Sequence, residues 1–112
     1  MGFQVFEIKS DVVTDGQYES ASMPSSYHEG YISIMFYDAQ GGIVTPTAGT
    51  ISFHGSETGD VWGEIASVTA NLVGTGVEYT RPAFAGPMRH VRATTSGIIG
   101  AVSMVISIAR YS

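Results

Sequence analysis

The sequence predicts an all-β fold, a single-domain antiparallel β-sandwich or jelly roll of about eight strands. Three observations carry that expectation. Apolar and polar residues alternate with period two almost from end to end, while 3.6-residue periodicity is scarce. Fourteen glycines punctuate the alternating runs at short intervals. Charged residues make up 13% of the chain, about half the usual share, and Gly, Ser and Thr stand where Lys and Glu would.

The first strand is read at "FQVFEIK", 3–9, and the second at "QYESASM", 17–23, after the turn-prone Asp15-Gly16 pair. Pro24 and the serines beside it then open a loop. "GYISIMFYDA", 30–39, is the clearest strand, with Ile32, Ile34 and Phe36 on one face and Tyr31, Ser33, Met35 and Tyr37 on the other. "DAQGG" turns the chain into "TISFHG", 50–55, where Ile51 and Phe53 oppose Thr50, Ser52 and His54.

"VWGEIASVTANL", 61–72, is the one stretch where a helix competes. Its β-branched residues and missing caps predict a strand with a bulge near Gly63. "VEYTRPAF" follows, and Pro82, which has no N–H for a ladder, belongs at a strand end or a sheet edge. The last two strands are "MRHVRATTSG", 88–97, and "AVSMVISIARY", 101–111, joined at "GIIG". The final strand is apolar enough on both faces to be central.

A chain of 112 residues is one domain's worth, and no internal repeat or low-complexity tail divides it. Its formal net charge of −5 disfavours a nucleic-acid binder, which needs clustered Lys and Arg. There are no cysteines, hence no disulfide framework and no thiolate metal site. The start, "MGFQVFEIKSD", is unlike a signal peptide, and no apolar run approaches a membrane span, so no membrane partner is expected.

Motifs for chemistry are few. His28, His54 and His90 lie far apart without zinc-site spacing, although a site assembled in space from His28, His54 and a carboxylate stays open. No serine sits in a nucleophile elbow, and "GTG" at 74–76 reads as a turn. "DAQGG" and "GSETGD" hold oxygens suited to calcium but not the spacing of an EF-hand loop. The expectation is a protein that is not an enzyme and has no cofactor, metal site or catalytic residue.

Two groups of side chains remain. Trp62, Tyr31 and Tyr37 form either a platform on which a sugar ring stacks or ordinary core and subunit contacts. Arg89, Arg92 and Arg110 lie among the apolar residues of the last two strands, as a ligand site or, in the preferred reading, as structural ion pairs and subunit contacts. Arg92 shares strand parity with His90 and Thr94, and Arg110 with Ile106 and Ile108, where its stem covers apolar surface while the guanidinium reaches out. Glu64 and Glu78 are the candidate carboxylate partners.

"GGIVTPTAGTISF", followed later by "RPAFAGPMRHVRATTSGIIGAVSMVISIARYS", resembles small β-sandwich structural proteins of tailed bacteriophage virions. The matching residues are Gly42, Val44, Pro46, Gly49 and Thr50, then Val91, Arg92, Ala93, Gly97, Ile98 and Gly100. The resemblance implies a virion structural protein made in a host cytoplasm, of capsid decoration (cement), head-fibre or tail accessory type. It implies self-association, as a trimer or another ring, with one surface docked on major capsid or tail proteins. Residues 1–9, with Phe3 and Phe6, would then be an arm that pairs with a neighbouring subunit. The alternative function is a carbohydrate-binding module that recognises a surface glycan.

Overall fold

The computed structural model describes residues 3–20, 22–23, 29–72, 79–85 and 89–111. Within them the chain forms eight strands: β1 Phe3–Val12, β2 Gly16–Glu19, β3 Glu29–Tyr37, β4 Ala48–Ser56, β5 Gly63–Thr69, β6 Tyr79–Ala85, β7 His90–Ile99 and β8 Ser103–Tyr111. They make two four-stranded antiparallel sheets, ordered β1-β8-β3-β6 and β2-β7-β4-β5. That alternation of the chain between two packed sheets is the jelly-roll topology, so the predicted fold class holds.

Period-two patterning builds the core. Ile32, Ile34 and Phe36 of β3 and Met104, Ile106 and Ile108 of β8 point inward from the first sheet; Ile51 and Phe53 of β4 and Val91 and Ala93 of β7 meet them from the second. β8 lies between β1 and β3, the central place its two apolar faces required. β6 is at the other edge of that sheet, where Pro82 sits beside a register shift and its missing N–H costs the ladder least.

Element boundaries depart from expectation where the alternation is weakest. The second strand ends at Glu19, after which Ser20 and Met23 hydrogen-bond to the backbone of Val91 and Arg89 as an irregular flank. The bulge of β5 is at Ile65, because Ala66 pairs with Phe53 and Glu64 with His54. Ala70–Leu72 closes that strand as one turn of 3-10 helix, so the stretch where a helix competed is strand first and helix at its end. The last turn comes later than "GIIG" suggested: Ile98 and Ile99 remain in β7, and Gly100, with φ 96, begins the reversal.

Turn polar groups hold the ends. The Asp15 carboxylate accepts from the Gly97 N–H at 2.9 Å, and the Thr95 hydroxyl donates to the Thr14 carbonyl at 2.7 Å, tying the β1–β2 turn to β7. The Asp38 carboxylate accepts from the N–H groups of Gln40 and Gly42, so the acidic oxygen of "DAQGG" is engaged with its own backbone. Gly49 is the tightest point: its φ is 121, and a Cβ there would lie 2.6 Å from the Ile98 Cα.

Candidate functional site

The inward side of the second sheet is apolar and its outward side is polar. Register places Gln17, Thr94, Ser52 and Ser67 in one row across β2, β7, β4 and β5. The next row is Glu19, Arg92, His54 and Glu64. His90 follows Arg92's parity, so the face presents two histidines, one arginine and two carboxylates at its end.

Trp62 folds onto this end from the β4–β5 loop. Ser56, almost wholly buried, accepts from the Gly59 N–H at 2.7 Å, and Gly59, with φ 89, turns its carbonyl to accept from the Trp62 indole N–H at 3.2 Å. The His90 ring packs beside this turn, 3.7 Å from where a Gly59 Cβ would be, and it is the positive φ that favours glycine there. Trp62 then lies with the Arg92 guanidinium carbon 4.3 Å from its ring centroid and the His90 ring 6.5 Å away at 65°. The stack is a cation–π contact, and Trp62 stays partly exposed.

Two polar atoms under this cluster, Arg92 Nε and His54 Nδ1, are buried and find no hydrogen-bond partner among the described residues. Buried polar atoms are nearly always paired, and exceptions point to a role or to a missing partner molecule. Among the described residues Arg92 makes no ion pair; the indole face takes the place the carboxylate was expected to hold.

The predicted site residues therefore separate. Glu64 is exposed and faces His54, and β4 stands between it and Arg92. Glu78 lies outside the described residues. Arg89 is exposed, ahead of β7, and its carbonyl accepts from the Met23 N–H at 2.7 Å. Arg110 points inward with Ile106 and Ile108, as its parity required, but it is 0% exposed, so its guanidinium does not reach out to water. Burial lowers its pKa, and the charge of Glu57 opposes that.

Phe6 packs in this chain's own core, and β1 pairs along its length with β8 of the same chain, Phe3 opposite Tyr111. The Phe6 side chain is thus spent inside its own sandwich, while β1 stays an edge strand of its sheet. Tyr31 and Tyr37 are half-buried on the outer face of the first sheet, six residues or roughly 20 Å apart. They form no common platform with Trp62, which is on the second sheet.

Sequence reasoning missed the meeting of His54, His90 and Arg92 on one face. Parity already set His54 outward with Thr50 and Ser52, and Arg92 with His90 and Thr94; what was missing is the pairing of β4 with β7 that brings the two rows together.

No protein-family model matches the sequence, and no curated protein matches it. Solved structures do match. A carbohydrate-binding module, CBM32 of AlyQ in complex with 4,5-unsaturated mannuronic acid, superposes with a TM-score of 0.63 at 16% identity over 91% of this chain and 74% of that one. An adhesin domain of Lys-gingipain from Porphyromonas gingivalis gives 0.57 at 9% identity, over 87% of this chain and 65% of that one. A low-affinity xylan-binding module, CBM86 from Roseburia intestinalis, gives 0.45 at 14% identity, over 99% and 96%.

This chain shares the β-sandwich fold of the CBM32 module and the adhesin domain. The finding corrects the expectation of a capsid decoration protein, since the structural neighbours are carbohydrate-binding modules and adhesin domains and none is from a phage virion. The physical reason is in the motif residues. Gly49, Gly97 and Gly100 all have positive φ, so the pattern they make records turns that this backbone needs. It does not record a task. Nothing in these neighbours supports docking on major capsid or tail proteins.

Proposed function

We propose that the chain is a glycan-binding β-sandwich module that acts by binding, without chemistry. One observation carries the reading: a partly exposed Trp62, backed by Arg92, stands at the edge of a sheet face lined by hydroxyls, histidines and carboxylates. An indole face offers the C–H side of a sugar ring an apolar surface, while planar charged groups beside it offer directional hydrogen bonds to hydroxyls. Arg92 supplies donors, Glu64 supplies acceptors, and His54 and His90 supply either. That the CBM32 module of the same fold is seen in complex with a carbohydrate derivative supports a glycan, of whatever charge, as the kind of ligand.

Trp62 is the only tryptophan of the chain, so its fluorescence reports the site alone. Titration with a panel of plant, algal and microbial oligosaccharides is expected to shift or quench that emission saturably for at least one of them. Calorimetry should show the same binding to the unlabelled protein and its loss in Trp62→Ala and Arg92→Ala. A panel without any binder overturns the proposal.

A further inference from the structure

Glycan binding leaves the charge of the sugar open, and the outer face of the second sheet bears on it. Glu19, Arg92, His54 and Glu64 stand directly opposite one another across four strands. At a strand spacing of about 4.8 Å, Glu19 is one strand and Glu64 two strands from the guanidinium. Both carboxylates are thus within about one Debye length of it at moderate salt. Both are exposed, and the loop that carries Trp62 adds two more exposed carboxylates, Glu57 and Asp60.

Arg92 itself is already stacked on the electron-rich indole, and its Nε is covered. It offers directional N–H groups more than a bare positive field. The formal net charge of −5 further opposes the approach of a polyanion.

The geometry points to an uncharged sugar bearing only hydroxyls as the ligand of this site, with the corresponding uronates rejected; this rests on the glycan-binding reading above. A hydroxyl serves both kinds of partner in the row, because it accepts from the Arg92 guanidinium and donates to the Glu64 carboxylate. A sugar carboxylate only accepts. It would gain Arg92 and face Glu19 and Glu64 as like charges.

The test uses matched pairs: mannose oligomers against mannuronate oligomers, galactose against galacturonate, and glucose against glucuronate, each titrated at low and at high salt with Trp62 fluorescence and calorimetry. The neutral member is expected to bind at least about tenfold more tightly than its uronate at low salt, the gap narrowing as salt screens the carboxylates. The double variant Glu19→Gln, Glu64→Gln should narrow it at low salt too. Uronate binding as tight as, or tighter than, that of the neutral partner and lost in Arg92→Gln overturns this inference and leaves glycan binding standing. Failure of every pair and of the wider oligosaccharide panel to bind overturns both.

Discussion

The Arg92 guanidinium carbon lies 4.3 Å from the centre of the Trp62 ring, so a strand residue and a loop residue form one stack. A double-mutant cycle with Trp62→Leu and Arg92→Met should return a coupling of about 0.5–1 kcal/mol, the usual worth of such a contact at a partly exposed site. Urea denaturation of the four proteins measures it. Additive single effects would mean that the two groups are neighbours without attraction.

Gly49 and Gly97 both have positive φ, but they differ in surroundings. A Cβ at Gly49 would lie 2.6 Å from the Ile98 Cα, whereas at Gly97 nothing is within 4 Å. Gly97→Ala is expected to cost about 1–2 kcal/mol, the left-handed penalty alone. Gly49→Ala should cost more than that and disturb the pairing of β4 with β7, seen as faster amide exchange at Thr50 and Ser96, which are opposite each other.

Arg110 is fully buried, and burial disfavours its charged form. Arg110→Ala leaves a cavity at the end of β8 and is expected to lose roughly 2–4 kcal/mol. Arg110→Met fills the space but leaves the groups that meet the guanidinium without it, so it should recover only part of that loss. Equal destabilisation by both, in thermal or urea melts, would show that the guanidinium's polar interactions outweigh its packing.

Asp15 fastens one turn to a strand far along the chain through the Gly97 N–H. Asp15→Ala should cost about 0.5–1.5 kcal/mol, and Asp15→Asn, which keeps an acceptor, less. Chemical denaturation orders the two variants, and the reverse order would show that the carboxylate's charge, more than the bond, matters.

The inner faces were legible because every buried apolar side chain of β3 and β4 obeys the alternation seen in "ISIMF" and "ISF". The polar row was not. Glu19, His54, Glu64 and Arg92 share no local spacing, and Glu64 faces His54 only because the bulge at Ile65 absorbs a residue. For Arg110 the strand face was readable from parity, whereas the burial of its guanidinium depends on packing around the strand end, which parity does not encode. The glycines of the virion-like pattern were legible as turns, and turns are shared by sandwiches with unrelated tasks.

The register that sets Phe3 opposite Tyr111 also governs how the chain folds. The first strand has no partner in its own sheet until the last one exists, since β8 separates it from β3. Phe6 and Ile8 therefore wait, unburied, for residues that lie roughly a hundred positions later in the chain. Such non-local pairing folds slowly, on the order of milliseconds to seconds for sandwiches of this kind. A chain truncated before residue 103 would leave β1 and β3 each facing the gap where β8 belongs, with their apolar sides open to aggregation.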